Sequence, residues 1–147
     1  MTGRLSNEDI VRRMQARAAP IESALGMKVL AVDQDSGCAT VSFNVSREFT
    51  NTQGYVGGGT LATMLDIAMA VAGSAATGHR KGMVTLECKN AFLNPARIGL
   101  FHAKAKTRKK GALVSFLEAE IYCADDDSLV ATGSATALAV EHDNSAR

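Results

Sequence analysis

Apolar and polar residues alternate strictly from Ala39 to Val45, with Ala39, Val41, Phe43 and Val45 on one side and Thr40, Ser42 and Asn44 on the other. A period of two marks a half-buried strand. Met27, Val29 and Ala31 form a strand before it, and the turn Asp35-Ser36-Gly37 joins the two as a hairpin. The alternation returns later in the chain and predicts strands over about 83–93, 98–109, 112–123 and 128–140. Asn94-Pro95, Lys110-Gly111 and Asp125-Asp126-Asp127-Ser128 separate them as turns. Connections this short predict that the four strands pair in order, as an antiparallel meander.

Two segments follow the helical period instead. Over residues 6–18, Ile10, Met14 and Ala18 recur at helical spacing, and Ser6 followed by Asp9 resembles a capping box. Residues 57–78, GGGTLATMLDIAMAVAGSAATG, are rich in Ala, Leu and Met, which are strong helix formers. Gly78 suits a C-terminal cap. About twenty apolar residues would also cross a bilayer. Asp66, the Thr and Ser residues and the flanking strands favour burial under a curled sheet instead. The pattern predicts an α+β protein, an antiparallel sheet around one long buried helix.

The 147 residues suffice for one domain, with an N-terminal helix over 6–18 and a core over about 20–140. Hydrophobic residues at 46% and charged ones at 21% are ordinary for a globular chain. A net charge of +1 gives no footprint for nucleic acid. Cys38, Cys88 and Cys123 are odd in number and widely spaced, which favours a reducing compartment. The charged N-terminus lacks the apolar run of a signal peptide, so a cytoplasmic location is expected. His79, His102 and His142 have no metal-ligand spacing, and no metal site is expected.

Asp66 is the only ionisable residue between Gly57 and Gly78. A carboxylate in a buried helix is costly unless something satisfies it. One alternative is a structural Asp bonded to backbone or lysine. The other is a catalytic carboxylate lining a cavity between helix and sheet, where loss of solvent makes it a better base. Gly57-Gly58-Gly59 adds a second element, because the first turn of a helix has free N–H groups that a substrate carbonyl can reach. Asp66 lies eight residues beyond Gly58, roughly 12 Å along the axis. One carbonyl cannot touch both on the same helix. If both act on one substrate, they come from two copies of the chain in a two-fold dimer.

Asn51-Thr52-Gln53-Gly54-Tyr55-Val56-Gly57-Gly58-Gly59, running into Leu65-Asp66, resembles the signature of hotdog-fold acyl-CoA thioesterases of the phenylacetate-pathway type. That signature is an Asn, a Gly, a His-Gly-Gly and then a helical Asp or Glu nine residues after the His. Phe92-Leu93-Asn94-Pro95-Ala96-Arg97-Ile98-Gly99 resembles the family's aromatic-x-x-Pro-Ala-x-x-Gly break. The resemblance spans about residues 20–140 and implies a hotdog fold, a homodimer or dimer of dimers, and hydrolysis of an acyl-CoA thioester. It implies Asp66 as base or nucleophile, and Gly58 as the N–H donor to the thioester carbonyl. Asn51 positions thioester or water, and Thr85 orients water near the carboxylate, its alternative being a solvent-face strand residue. The family's His is Gly57 here.

Coenzyme A enters as part of the substrate, with no separate cofactor. Its phosphates need cations, and the resemblance assigns its contacts to Gly59 and to Arg108, Lys109, Lys110, Gly111, Ala112 and Leu113 at a hairpin turn. Lys104 and Lys106 read equally as the lysines that protect an edge strand. Two rival functions remain: a non-catalytic acyl-CoA-binding protein, and a hotdog hydratase or dehydratase. The latter needs a His beside its acid, where this chain has Gly57. No residue anchors a particular acyl group.

Overall fold

The computed structural model describes residues 3–142. Helix α1 (Asn7–Ala16) starts at Ser6, whose Oγ accepts the Asp9 N–H and donates to the Asp9 carboxylate. It buries Ile10 and Met14, while Ala18 falls beyond its end. A short helix α2 (Pro20–Ala24) follows, with Pro20 in its first turn and the Glu22 carboxylate accepting the Ala19 N–H. The hydrophobic period did not reveal it, because it buries no residue.

Strands β1 (Lys28–Asp33) and β2 (Cys38–Val45) form the expected hairpin. The Asp33 carboxylate holds its turn by accepting from the Asp35 N–H and the Ser36 hydroxyl. A 3-10 turn (Arg47–Phe49) leads to α3 (Gly58–Ala76), and four strands complete the chain: β3 (Lys81–Phe92), β4 (Gly99–Lys110), β5 (Val114–Cys123) and β6 (Leu129–Glu141).

All six strands join one antiparallel sheet in the order β1-β2-β4-β5-β6-β3. This corrects the meander. β4, β5 and β6 pair in sequence, but β3 lies at the far edge beside β6, and β4 pairs with β2. The 93–98 connector crosses the end of the sheet, where the Leu93 N–H and the Asn94 side-chain amide bond the carbonyls of Val130 and Leu129. Three strand spacings are about 14 Å, within reach of the six connector residues at roughly 3.4 Å each. A short link therefore does not force adjacency.

The sheet curls around α3, which contacts every strand. Among the described residues α3 is the one helix long and apolar enough to cross a membrane. Its Leu61, Met64, Leu65, Ala68, Met69 and Ala72 are instead buried against Phe43, Phe101, Leu117 and Ile121. Gly78, at φ +65°, ends the helix by donating its N–H to the Ala75 carbonyl.

Candidate active site

The candidate chemistry lies where α3 packs against edge strand β3. A bulge between Thr85 and Glu87 leaves Leu86 unpaired and outward, 57% exposed. One extra residue shifts the alternation, so Thr85 and Cys88, three apart, both turn toward the helix. Thr85 Oγ1 donates to Asp66 Oδ1 at 2.5 Å. Among the described residues Asp66 Oδ2 has no protein partner. The carboxylate is half-buried rather than enclosed.

Sequence reasoning missed the neighbours of this pair. Cys88 Sγ lies 3.2 Å from Asn90 Oδ1, and its thiol is pushed up, first by burial and further by the Asp66 charge, against a lowering effect of the Asn90 bond. Cys88 therefore stands beside Asp66 as a neutral thiol, not as a competing nucleophile. Nothing in the linear sequence marks it, since its facing depends on the bulge.

At the start of α3, Gly57 is the N-cap and Leu61 makes the first helical bond, to the Gly57 carbonyl. The N–H groups of Gly58, Gly59 and Thr60 have no intrahelical acceptor. A Cβ on Gly58 would come within 3.2 Å of the Phe92 ring, whereas Gly59 faces open space. The preceding loop is pinned at several points. Asn51 Oδ1 accepts from the N–H groups of Gln53 (3.0 Å) and Tyr55 (3.2 Å), and Val56 N–H bonds the Ala96 carbonyl. Asn51 thus shapes the loop through its carbonyl oxygen, and its amide N–H groups are its remaining donors. Arg97, another residue not singled out from sequence, sits 5.0 Å over the Tyr55 ring and places a cation near this helix start.

Within one chain the structure joins Asp66 to Thr85, but not to Gly58. Both lie on one continuous helix, eight residues and about 12 Å apart. The basic hairpin is farther still. Lys110 Nζ donates to the Ala76 carbonyl at 3.0 Å, at the opposite end of α3 from Gly58. Arg108 pairs with Glu118 at 3.4 Å, Lys109 is exposed, and Gly111, Ala112 and Leu113 form the turn, closed by Gly111 N–H on the Val114 carbonyl. Lys104 and Lys106 do not guard an edge, because β4 is an interior strand. They face Glu120 and Glu118 across the ladder, as a cross-strand charge pattern.

The profile of the thioesterase superfamily matches residues 53–130, which carry the glycines, Asp66, Thr85 and the hairpin. The chain belongs to the thioesterase superfamily. A protein of Saccharolobus solfataricus described as a candidate esterase is 30% identical over 99 residues, covering 67% of this chain and 70% of that one. A phenylacetic acid degradation-related protein of Ralstonia eutropha JMP134, described as a candidate thioesterase, is 30% identical. Its structure has a TM-score of 0.79 and covers 88% of this chain and 98% of that chain. A thioesterase family protein from Silicibacter pomeroyi, at 27% identity, gives a TM-score of 0.80 over 92% of this chain and 98% of that one. The antiparallel sheet around one long helix is the hotdog fold these thioesterases share, and the family membership supports thioester hydrolysis as the general activity.

Proposed function

We propose that this thioesterase-superfamily protein hydrolyses an acyl-CoA thioester at sites shared between two copies of the chain. The observation that carries the reading is the half-buried Asp66–Thr85 pair between α3 and β3. Thr85 fixes Oδ1 and leaves Oδ2 to take a proton from water. The water oxygen attacks the thioester carbon, the C–S bond breaks, and the departing thiolate receives the proton as free coenzyme A. The carbonyl oxygen rests on the Gly58 N–H of the other copy, at the positive end of its helix.

Two features support the dimer. β3 is a twelve-residue edge strand whose outer edge is unpaired among the described residues, and such an edge is a template for a second strand. Val84 and Leu86 on it are also exposed. A partner copy would further supply what one chain keeps apart. Its basic hairpin or Arg97 can meet the phosphates of coenzyme A while this chain's Asp66 meets the thioester. The hydratase reading has less support, since none of the three histidines is bonded to Asp66 or Thr85.

The test is thiol release from a panel of short, medium, aromatic and hydroxylated acyl-CoAs. Asp66→Asn should lower turnover by about a hundredfold to ten-thousandfold, the usual contribution of a general base, while melting as the wild type does. Turnover by Asp66→Asn at the wild-type rate would sink the assignment. Coenzyme A binding without any thiol release would indicate a binding protein instead.

A further inference from the structure

The sheet has two edges, β1 at one end of the strand order and β3 at the other. An edge exposes N–H and C=O groups on which another strand can pair. Among the described residues, the backbone from Val84 to Phe92 bonds only β6, so the outer side of β3 is open. The β1 edge is occupied. Gln15, in the last turn of α1, donates its side-chain N–H to the Met27 carbonyl at 3.3 Å, and its Oε1 accepts the Val29 N–H at 2.9 Å. The N–H can only donate and the carbonyl only accept, which fixes the orientation of the amide. One side chain thus fills an acceptor and a donor two residues apart, as the backbone of a neighbouring strand would.

A second contact closes the other end of the strand. Asn7, the first residue of α1, accepts the Gln34 N–H on Oδ1 at 3.2 Å, just past the end of β1. The Gln34 side chain returns a bond to the Leu5 carbonyl at 2.8 Å. Between the two contacts the ladder to β2 slips at Leu30, whose side chain is exposed. Such a bulge twists an edge away from a straight partner. The helix that carries Gln15 and Asn7 is itself anchored, since Ile10 and Met14 are buried in the core and Leu5 and Val11 pack against it. Packing alone needs those apolar residues. It does not need an amide at position 15.

The difference between the edges sets how copies can assemble. With both edges open, every added copy presents a fresh edge and the sheet grows without end. With one edge open, a two-fold pair uses up both open edges and growth stops at two.

We propose that α1 is an edge guard, in which Gln15 and Asn7 hold β1 closed so that copies of this chain pair along their sheets through β3 alone. This inference rests on the two-copy reading for the partner at β3, and its test separates the two. In wild type the Val29 amide should exchange with deuterium as slowly as the amides bonded within the β1–β2 ladder; exchange at the rate of an open edge would overturn the guard. Asn7→Ala/Gln15→Ala removes both side-chain contacts and leaves the Ser6 cap and the buried Ile10 and Met14 in place. In this variant Val29 exchange should speed up about tenfold, the worth of one hydrogen bond. Light scattering should show a mass that climbs severalfold between micromolar and millimolar protein, where the wild-type mass stays constant. Adding Leu30→Lys places a charge on the reopened edge and should return the mass to the wild-type value. A double variant that melts cooperatively and keeps the wild-type mass at every concentration would overturn the proposal, as would growth that persists with Leu30→Lys. If the double variant does not fold, Gln15→Ala alone, read in the same way, decides. A monomeric wild type whose double variant grows removes the two-copy site and leaves the guard.

Discussion

Thr85 is held against Asp66 by a single irregularity, the unpaired Leu86. Removing the hydroxyl leaves one carboxylate oxygen without its protein donor, and a hydrogen bond to a charged group contributes about 1.5–3 kcal/mol. Thr85→Ala should therefore lower kcat by roughly tenfold to a hundredfold, with Thr85→Ser restoring most of it, read by thiol release. An unchanged kcat in Thr85→Ala would make the contact incidental. Asp66 was legible in the sequence because one charge in an apolar helix has to be explained. Thr85 was legible only through the family resemblance, and Cys88 and Asn90 not at all. Strict alternation places Thr85 and Cys88 on opposite faces, and only the bulge reverses that.

The C-terminal end of α3 carries an independent pH response. His79 occupies the left-handed region at φ +57°, just after Gly78, with its titration pushed down to about 4 from an ordinary 6.5. The unfolded chain binds a proton there between those values and the folded chain does not, so stability falls as the pH drops from 6.5 toward 4. Asp9, Asp33, Glu48 and Asp126 have lowered values, and they lose their stabilising effect only at lower pH, as they protonate. Asn tolerates the left-handed conformation and does not titrate. His79→Asn should flatten the decline of Tm between pH 6.5 and 4.5; an equally steep decline would place the response elsewhere. Among the elements, α1, α3 and the β1–β2 hairpin were readable because capping, apolar composition and a turn are local signals. The position of β3 was not. The long α3 carries the chain across the sheet, and the connector with Asn94-Pro95 bridges three strand spacings, so neighbours in sequence are not neighbours in the sheet.

At the scale of the molecule, one helix separates three parts of the proposed site. Gly58 lies at one end of α3, Asp66 in its first half, and Lys110 bonds the carbonyl of Ala76 at the other end. A lone chain cannot bring Gly58 and Asp66 to one carbonyl, whereas the proposed two-fold pair would present each residue to the other copy. The exposed β3 edge offers the surface for it. Light scattering should give at least twice the chain mass, and a monomer that still turns over substrate would remove the shared site.

Mixing two inactive variants tests that shared site most directly. Asp66→Asn removes the base. Gly58→Pro removes the N–H donor at the first helical position, where proline suits the helix, with the exposed Phe92 ring shifting by a few tenths of an ångström to admit the added carbon. Each variant alone should be nearly inactive. After the two are unfolded together and refolded in equal amounts, half the dimers are mixed, and each mixed dimer has one intact site of two. The account predicts recovery of about a quarter of wild-type thiol release; no recovery from well-folded mixed dimers would contradict it.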